Sequence, residues 1–165
     1  MTTEERSNTT WQGLMAGLIG YLSIMLLVGT ADLLLGRSFF YTWSLLGQRL
    51  FYGLTDASQM ASGPGPIFAF NGLHLVIFLG IGLAAAWLVV WSEKAPGFWA
   101  AAMLFVFLIF MHAFVAMLRV THFLRPELPV ALLGIPTVIA LILMMGYLLH
   151  EHPRLRSDLR TGREE

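Results

Sequence analysis

Four long apolar runs constrain this chain more than any other feature of its sequence. They extend over residues 11–35, 67–91, 98–118 and 130–149. At a rise of about 1.5 Å per residue, about 20 helical residues cross the ~30 Å hydrocarbon core of a bilayer. Asp32 is the only formally charged residue inside the four runs. The pattern predicts an all-α integral membrane protein with four transmembrane helices.

The overall composition agrees with a membrane protein and excludes several classes of function. Of 165 residues, 57% are hydrophobic and 12% are charged, whereas about 25% are charged in a typical soluble domain. A net charge of zero argues against a nucleic-acid partner. Because the sequence contains no Cys, it excludes disulfides, Cys-ligated zinc, iron–sulfur clusters and thiol catalysis.

The segment between the first two runs has a different character. Residues 39–54 are too few to cross the membrane, are rich in aromatic side chains and include Gln48 and Arg49. Their polar residues form a rough stripe, which predicts a short amphipathic helix in the membrane interface or docked over the bundle. We interpret the Gln48–Arg49 pair as part of a solvated face. With a polar tail at residues 150–165, the whole chain is predicted to form a single membrane domain.

Small residues recur at a spacing of four in the first two runs. Gly13 and Gly17 form one such pair, and Gly80 and Ala84 form another. This spacing allows a neighbouring helix backbone to approach closely. We therefore expect all four residues to lie at contacts between helices, within the chain or with a partner.

The basic residues near the ends of the runs predict the topology. Six of them share one side if four helices cross, and four share the other side. Since Lys and Arg favour the cytoplasmic side, both termini are predicted to be cytoplasmic, and a bacterial inner membrane is the expected location. The six are Arg6, Lys94, Arg154, Arg156, Arg160 and Arg163, and the four are Arg37, Arg49, Arg119 and Arg125.

Two histidines in adjacent runs form the sharpest candidate site. His74 and His112 are equidistant from the turn at residues 92–97, so an antiparallel hairpin places them at one depth. Such a pair could ligate the iron of haem b or the magnesium of a chlorophyll-type pigment, or hydrogen-bond a quinone. The plainer interpretation, which we favour, is a pair of packing hydrogen bonds with no cofactor. The sequence leaves any metal unspecified.

Other polar groups cluster near the same ends of the runs as the two histidines. An intramembrane carboxylate can mark an ion path, but we expect Asp32 to reach interface water or to pair with Arg119. No nucleophile has a base at a plausible spacing, so the sequence assigns no catalytic residue and favours a protein that is not an enzyme. The predicted structural cluster comprises Asp32, Asn71, Arg119 and His122.

These observations favour a small accessory or structural subunit of a larger membrane complex, respiratory or photosynthetic. The expected partners are the lipid bilayer and either other membrane subunits or further copies of this chain. An alternative is an electron-transfer protein that binds haem or a pigment through His74 and His112. A third is a transporter or channel built by oligomerisation.

Overall fold

The computed structural model describes residues 3–61, 63–94, 130–153 and 155–157, with Phe98, Leu108, Val115 and Arg119. Every regular element in these residues is helical. The elements are α1 (Thr3–Leu34), α2 (Tyr41–Tyr52), a 3-10 helix (Ala57–Gln59), α3 (Gly65–Lys94) and α4 (Val130–Glu151). Helices α1, α3 and α4 are long and apolar enough to cross a membrane, as predicted for three of the four runs. The run at 98–118 lies outside the described residues apart from single positions.

The turn after α1 reverses the chain and begins α2. Gly36 adopts a left-handed φ of 73°, its N–H donates to Leu33 O, and the Arg37 N–H donates to Asp32 O. This pair of bonds is the Schellman arrangement that satisfies the last carbonyls of a helix. At its other end, α1 begins well before Trp11, because its helix continues through the polar residues that precede the apolar run.

Helices α1 and α3 approach each other closely through glycines. A Cβ on Gly13 would lie 2.7 Å from the Leu83 Cα, and one on Gly17 would lie 2.8 Å from the Leu79 Cα. On α3, a Cβ on Gly82 would lie 2.7 Å from the Gly17 Cα. The predicted contacts of Gly13 and Gly17 are therefore confirmed.

The pair predicted on α3 does not take part in this contact. Gly80 and Ala84 are exposed, and a Cβ on Gly80 would meet no atom within 4 Å. Two residues along a helix correspond to about 200° of rotation, so Gly82 faces α1 while Gly80 faces away. Gly80 and Ala84 therefore make no close helix contact within the described bundle, and a contact with a partner helix stays a prediction.

The buried core shows the directions of the long helices. Near the start of α3 and the start of α4, Phe70 and Leu132 belong to one cluster. Near the ends of the same helices, Val89 and Leu148 belong to another. Helices α3 and α4 therefore run parallel, and α1 runs antiparallel to both. We call the end that carries α2 the α2 end, and the opposite one the terminal end.

Helix α2 packs mainly against α3 at the α2 end. Its residues from Thr42 to Gln48 are buried in succession, and therefore on all sides. A side chain on Gly47 would collide with the Pro66 carbonyl, so the two backbones touch there. The predicted short helix is confirmed as a helix, and its polar residues Thr42 and Gln48 are buried while Tyr52 is 65% exposed. The predicted solvated face is wrong for Gln48.

Candidate functional site at the α2 end of the bundle

Asp32 connects the end of α1 to the start of α2. Its carboxylate is fully buried and accepts two bonds from Thr42: from the backbone N–H at 2.9 Å and from the hydroxyl at 2.9 Å. Phe40, at the N-cap position of α2, makes no side-chain capping bond. Asp32 therefore caps α2 from another helix and places its negative charge at the positive end of the α2 dipole.

This arrangement differs from the one predicted for Asp32. Because the carboxylate is completely buried, the expectation that it reaches interface water is wrong. Both of its oxygens bond Thr42, and Arg119 is exposed. His122, the remaining predicted neighbour, lies outside the described residues. Asp32 thus holds α2 in place through bonds that occupy both carboxylate oxygens.

Gln48 fixes the loop that follows α2. Its Nε2 donates to the Ala61 carbonyl at 2.8 Å and to the Ser44 hydroxyl at 3.1 Å, and its Oε1 accepts the Ala61 N–H at 2.8 Å. The Gln48 amide thus both donates to and accepts from the backbone of Ala61, as the backbone of a neighbouring β-strand would. Within this loop, the Ser58 backbone N–H and hydroxyl both donate to Asp56, and they hold the pKa of the Asp56 carboxyl below its usual value.

His74 lies in a cage of aromatic rings contributed by three helices. From α3 itself, the Phe70 ring stacks on the imidazole at 22° with centroids 5.5 Å apart, and the Phe78 ring lies 4.9 Å away. Trp43 of α2 meets it edge-on at 5.4 Å, and Tyr21 of α1 lies at 6.3 Å. The imidazole therefore sits at the junction of α1, α2 and α3.

Two nitrogens in this cage have unused hydrogen-bonding capacity. Trp43 Nε1 and His74 Nε2 are buried, and neither has a hydrogen-bond partner in the part of the chain that the structure describes. Leaving a buried polar group unpaired costs about 1–3 kcal/mol. Nearby, the Tyr21 hydroxyl donates to Asn71 Oδ1 at 3.1 Å, and Asn71 Nδ2 donates to the Ile67 carbonyl at 2.9 Å. We call Tyr21, Trp43, Asn71 and His74 the Trp43–His74 layer.

The cage does not fit the macrocycle that the two histidines suggested. An axial ligand to a haem iron or a pigment magnesium must bring its nitrogen within about 2 Å of the metal, at the centre of a disc far wider than one aromatic ring. Here protein atoms cover His74 Nε2, and four rings surround the imidazole. His112 lies outside the described residues, so its pairing with His74 stays a prediction.

A second polar junction lies at the terminal end, and the sequence analysis did not identify it. His152 Nδ1 lies 2.9 Å from Glu93 Oε1, and His152 Nε2 lies 3.1 Å from Gln12 Oε1. Each ring nitrogen of His152 therefore lies within hydrogen-bonding distance of a side chain from another helix. One side chain thus joins Gln12 of α1, the end of α3 and the end of α4. The sequence offers one signal for this junction: Gln12, Glu93 and His152 all lie near the ends of apolar runs.

The described residues contain no group of three or more His, Cys, Asp or Glu that could hold a metal ion. No protein-family model, curated protein or solved structure matches the chain.

Proposed function

We propose that this protein is a four-span, non-catalytic subunit of a larger membrane assembly, located in a bacterial inner membrane with both termini in the cytoplasm. The parallel directions of α3 and α4 support the fourth crossing. Lys94 ends α3 at the terminal end, whereas Val130 begins α4 at the α2 end. The apolar run at residues 98–118 is long enough for the chain between them to return across the bilayer, and we propose that it does.

The observation that carries the subunit proposal is an outer face of α3 that differs from the interior of the bundle. In the interior, Asp32 and Gln48 make hydrogen bonds that join elements of this chain to each other. Outside, Val76 is 67% exposed and lies near the exposed small residues Gly80 and Ala84. Small residues on an apolar face allow a second transmembrane helix to pack closely, and we propose that a helix of a partner subunit does so.

A respiratory or photosynthetic complex is the host class we propose, because such assemblies contain many small multi-span subunits. The support for this step is analogy between proteins of similar size and topology. A further copy of this chain is the competing partner, and the experiment below separates the two.

Native mass spectrometry of the tagged full chain, extracted in mild detergent, tests the proposal. We expect stoichiometric co-purification with other membrane subunits. Gly80→Leu should abolish it, because the new side chain blocks close helix approach. Gly146→Leu is the matched control: Gly146 of α4 is also exposed, with no atom within 4 Å of an added Cβ. A monomer or homo-oligomer only, or equal loss in both variants, would contradict the proposal.

The two other candidate functions have less support from the described geometry. A haem- or pigment-binding role for His74 and His112 would require the aromatic cage to open, and its test is a visible absorption spectrum of the purified protein.

A transporter or channel would require a titratable or ion-binding group free to exchange along a path. Asp32 instead has both carboxylate oxygens bonded to Thr42.

A further inference from the structure

We propose that the Trp43–His74 layer binds the ring of a membrane-soluble molecule of the quinone class, through a carbonyl oxygen that accepts from Trp43 Nε1 and His74 Nε2. This inference is independent of the subunit proposal. It concerns binding only and includes no redox step.

The unpaired donors are the first support. Trp43 is only 2% exposed, and an indole N–H can only donate. An imidazole that carries its proton on Nε2 donates from that atom as well. A carbonyl oxygen has two lone pairs and can accept two bonds, and the two rings that carry these nitrogens are neighbours, with centroids 5.4 Å apart. Pairing both groups removes the cost of leaving them buried and unbonded.

The shape of the layer selects the rest of the ligand. The cage rings of Phe70 and Phe78 are flat and apolar, so a planar ring that takes the place of one can pack against the other. The Tyr21–Asn71 bond lies one helical turn from His74 and provides a second pair of polar groups. Few polar groups among aromatic walls are typical of small-molecule sites. A quinone combines a planar ring with carbonyl oxygens at opposite edges.

The position of the layer explains why the ligand should be membrane-soluble. His74 lies within α3, one of the three helices apolar enough to cross a membrane, and Leu73 beside it is 39% exposed. A ligand dissolved in the bilayer can therefore approach the layer from its side. Because the two nitrogens are covered in the described conformation, entry requires a cage ring to rotate. A single quinone ring is close in size to the phenyl ring that it would displace, unlike a macrocycle.

Titration of the full chain in lipid nanodiscs with decyl-substituted benzoquinone tests the proposal. The protein has 5 Trp, so its ¹⁵N spectrum offers few indole signals, and the Trp43 signal is the one lost in Trp43→Phe. We expect this signal to move on saturation. His74→Phe and Trp43→Phe should each raise the Kd about tenfold, equivalent to about 1.4 kcal/mol. Trp91→Phe, which changes a 53% exposed Trp, should leave the Kd unchanged.

Decylbenzene, which has the same chain and ring but no oxygen, is the matched ligand control and should bind at least tenfold more weakly. Several results would overturn the proposal. One is that no indole signal of the wild-type protein moves at saturating quinone, a measurement that needs no variant. Others are equal binding of decylbenzene, an unchanged Kd in a folded His74→Phe variant, or a direct Trp43–His74 hydrogen bond in the ligand-free protein.

Discussion

At the scale of single residues, the buried polar groups fall into two kinds. Asp32 and Gln48 have their oxygens bonded to neighbouring elements, whereas Trp43 Nε1 and His74 Nε2 have no partner in the described residues. The sequence identified Asp32 and His74 as exceptional because polar groups are rare in apolar runs. It could not identify Trp43 as the neighbour of His74, because that contact depends on how α2 docks against α3.

Removing the unpaired nitrogen of His74 should not destabilise the ligand-free protein. His74→Phe keeps an aromatic ring in the cage and removes the unsatisfied polar group, so we expect the free energy of unfolding to stay equal or to rise by about 1 kcal/mol. Unfolding in mixed detergent micelles, monitored by circular dichroism, measures the change. A loss of 2 kcal/mol or more would show that His74 has a bonded partner.

Removing the carboxylate of Asp32 should be strongly destabilising. Asp32→Leu leaves the buried N–H and hydroxyl of Thr42 without their acceptor, so about 1.5–3 kcal/mol of unfolding free energy should be lost. Thr42→Val is the matched comparison, since it removes the hydroxyl bond and leaves the backbone bond. It should cost less than Asp32→Leu under the same conditions. Equal costs would mean that the cap on the α2 backbone contributes nothing.

At the scale of elements, the length of the apolar runs predicts the long helices correctly, whereas the amphipathic pattern of α2 does not predict which of its residues are buried. The runs predicted at 11–35, 67–91 and 130–149 coincide with the apolar parts of α1, α3 and α4, each long enough to cross a hydrocarbon core. For α2, the polar stripe predicts a face toward water, yet Thr42 and Gln48 are buried. In a membrane protein the exterior is apolar, so a polar stripe is equally well satisfied inside the bundle.

The α1–α3 contact should tolerate no side chain at Gly17. Even Gly17→Ala would bring a Cβ against the backbone of Phe78 and Leu79, so we expect a loss of about 1–3 kcal/mol from overpacking. Gly80→Ala, on the exposed side of α3, should be neutral or slightly stabilising because Ala favours the helix. The same micelle unfolding assay compares the two. Similar stability of both variants would show that the close approach is incorrect.

The Gln48 bonds should control the loop after α2. Gln48→Leu removes both contacts with the Ala61 backbone, and we expect hydrogen exchange at residues 53–61 to become faster while exchange in α3 is unchanged. Gln59→Leu is a matched control, because Gln59 is exposed within the same loop. Unchanged exchange in Gln48→Leu would contradict the proposed clamp.

At the scale of the whole molecule, two polar junctions define opposite ends of one apolar bundle. The α2 end contains the Asp32–Thr42 cap and the Trp43–His74 layer. The terminal end contains His152, bonded to Glu93 and Gln12. The apolar runs predicted that the chain crosses a membrane, but not the His152 junction, since Gln12 and His152 are 140 positions apart in sequence. Only the counts of Lys and Arg residues predict which side of the membrane each end of the bundle faces.

Cysteine labelling tests the central claim most directly, namely that the two ends of the bundle lie on opposite sides of a membrane. The chain has no Cys, so Gln59→Cys, Lys94→Cys and Ser157→Cys each introduce a unique thiol at an exposed position. In intact cells, a membrane-impermeant maleimide should label Gln59→Cys, and it should label the other two only after permeabilisation. Labelling of both Gln59→Cys and Lys94→Cys in intact cells would contradict the account, because α3 would then not cross the membrane.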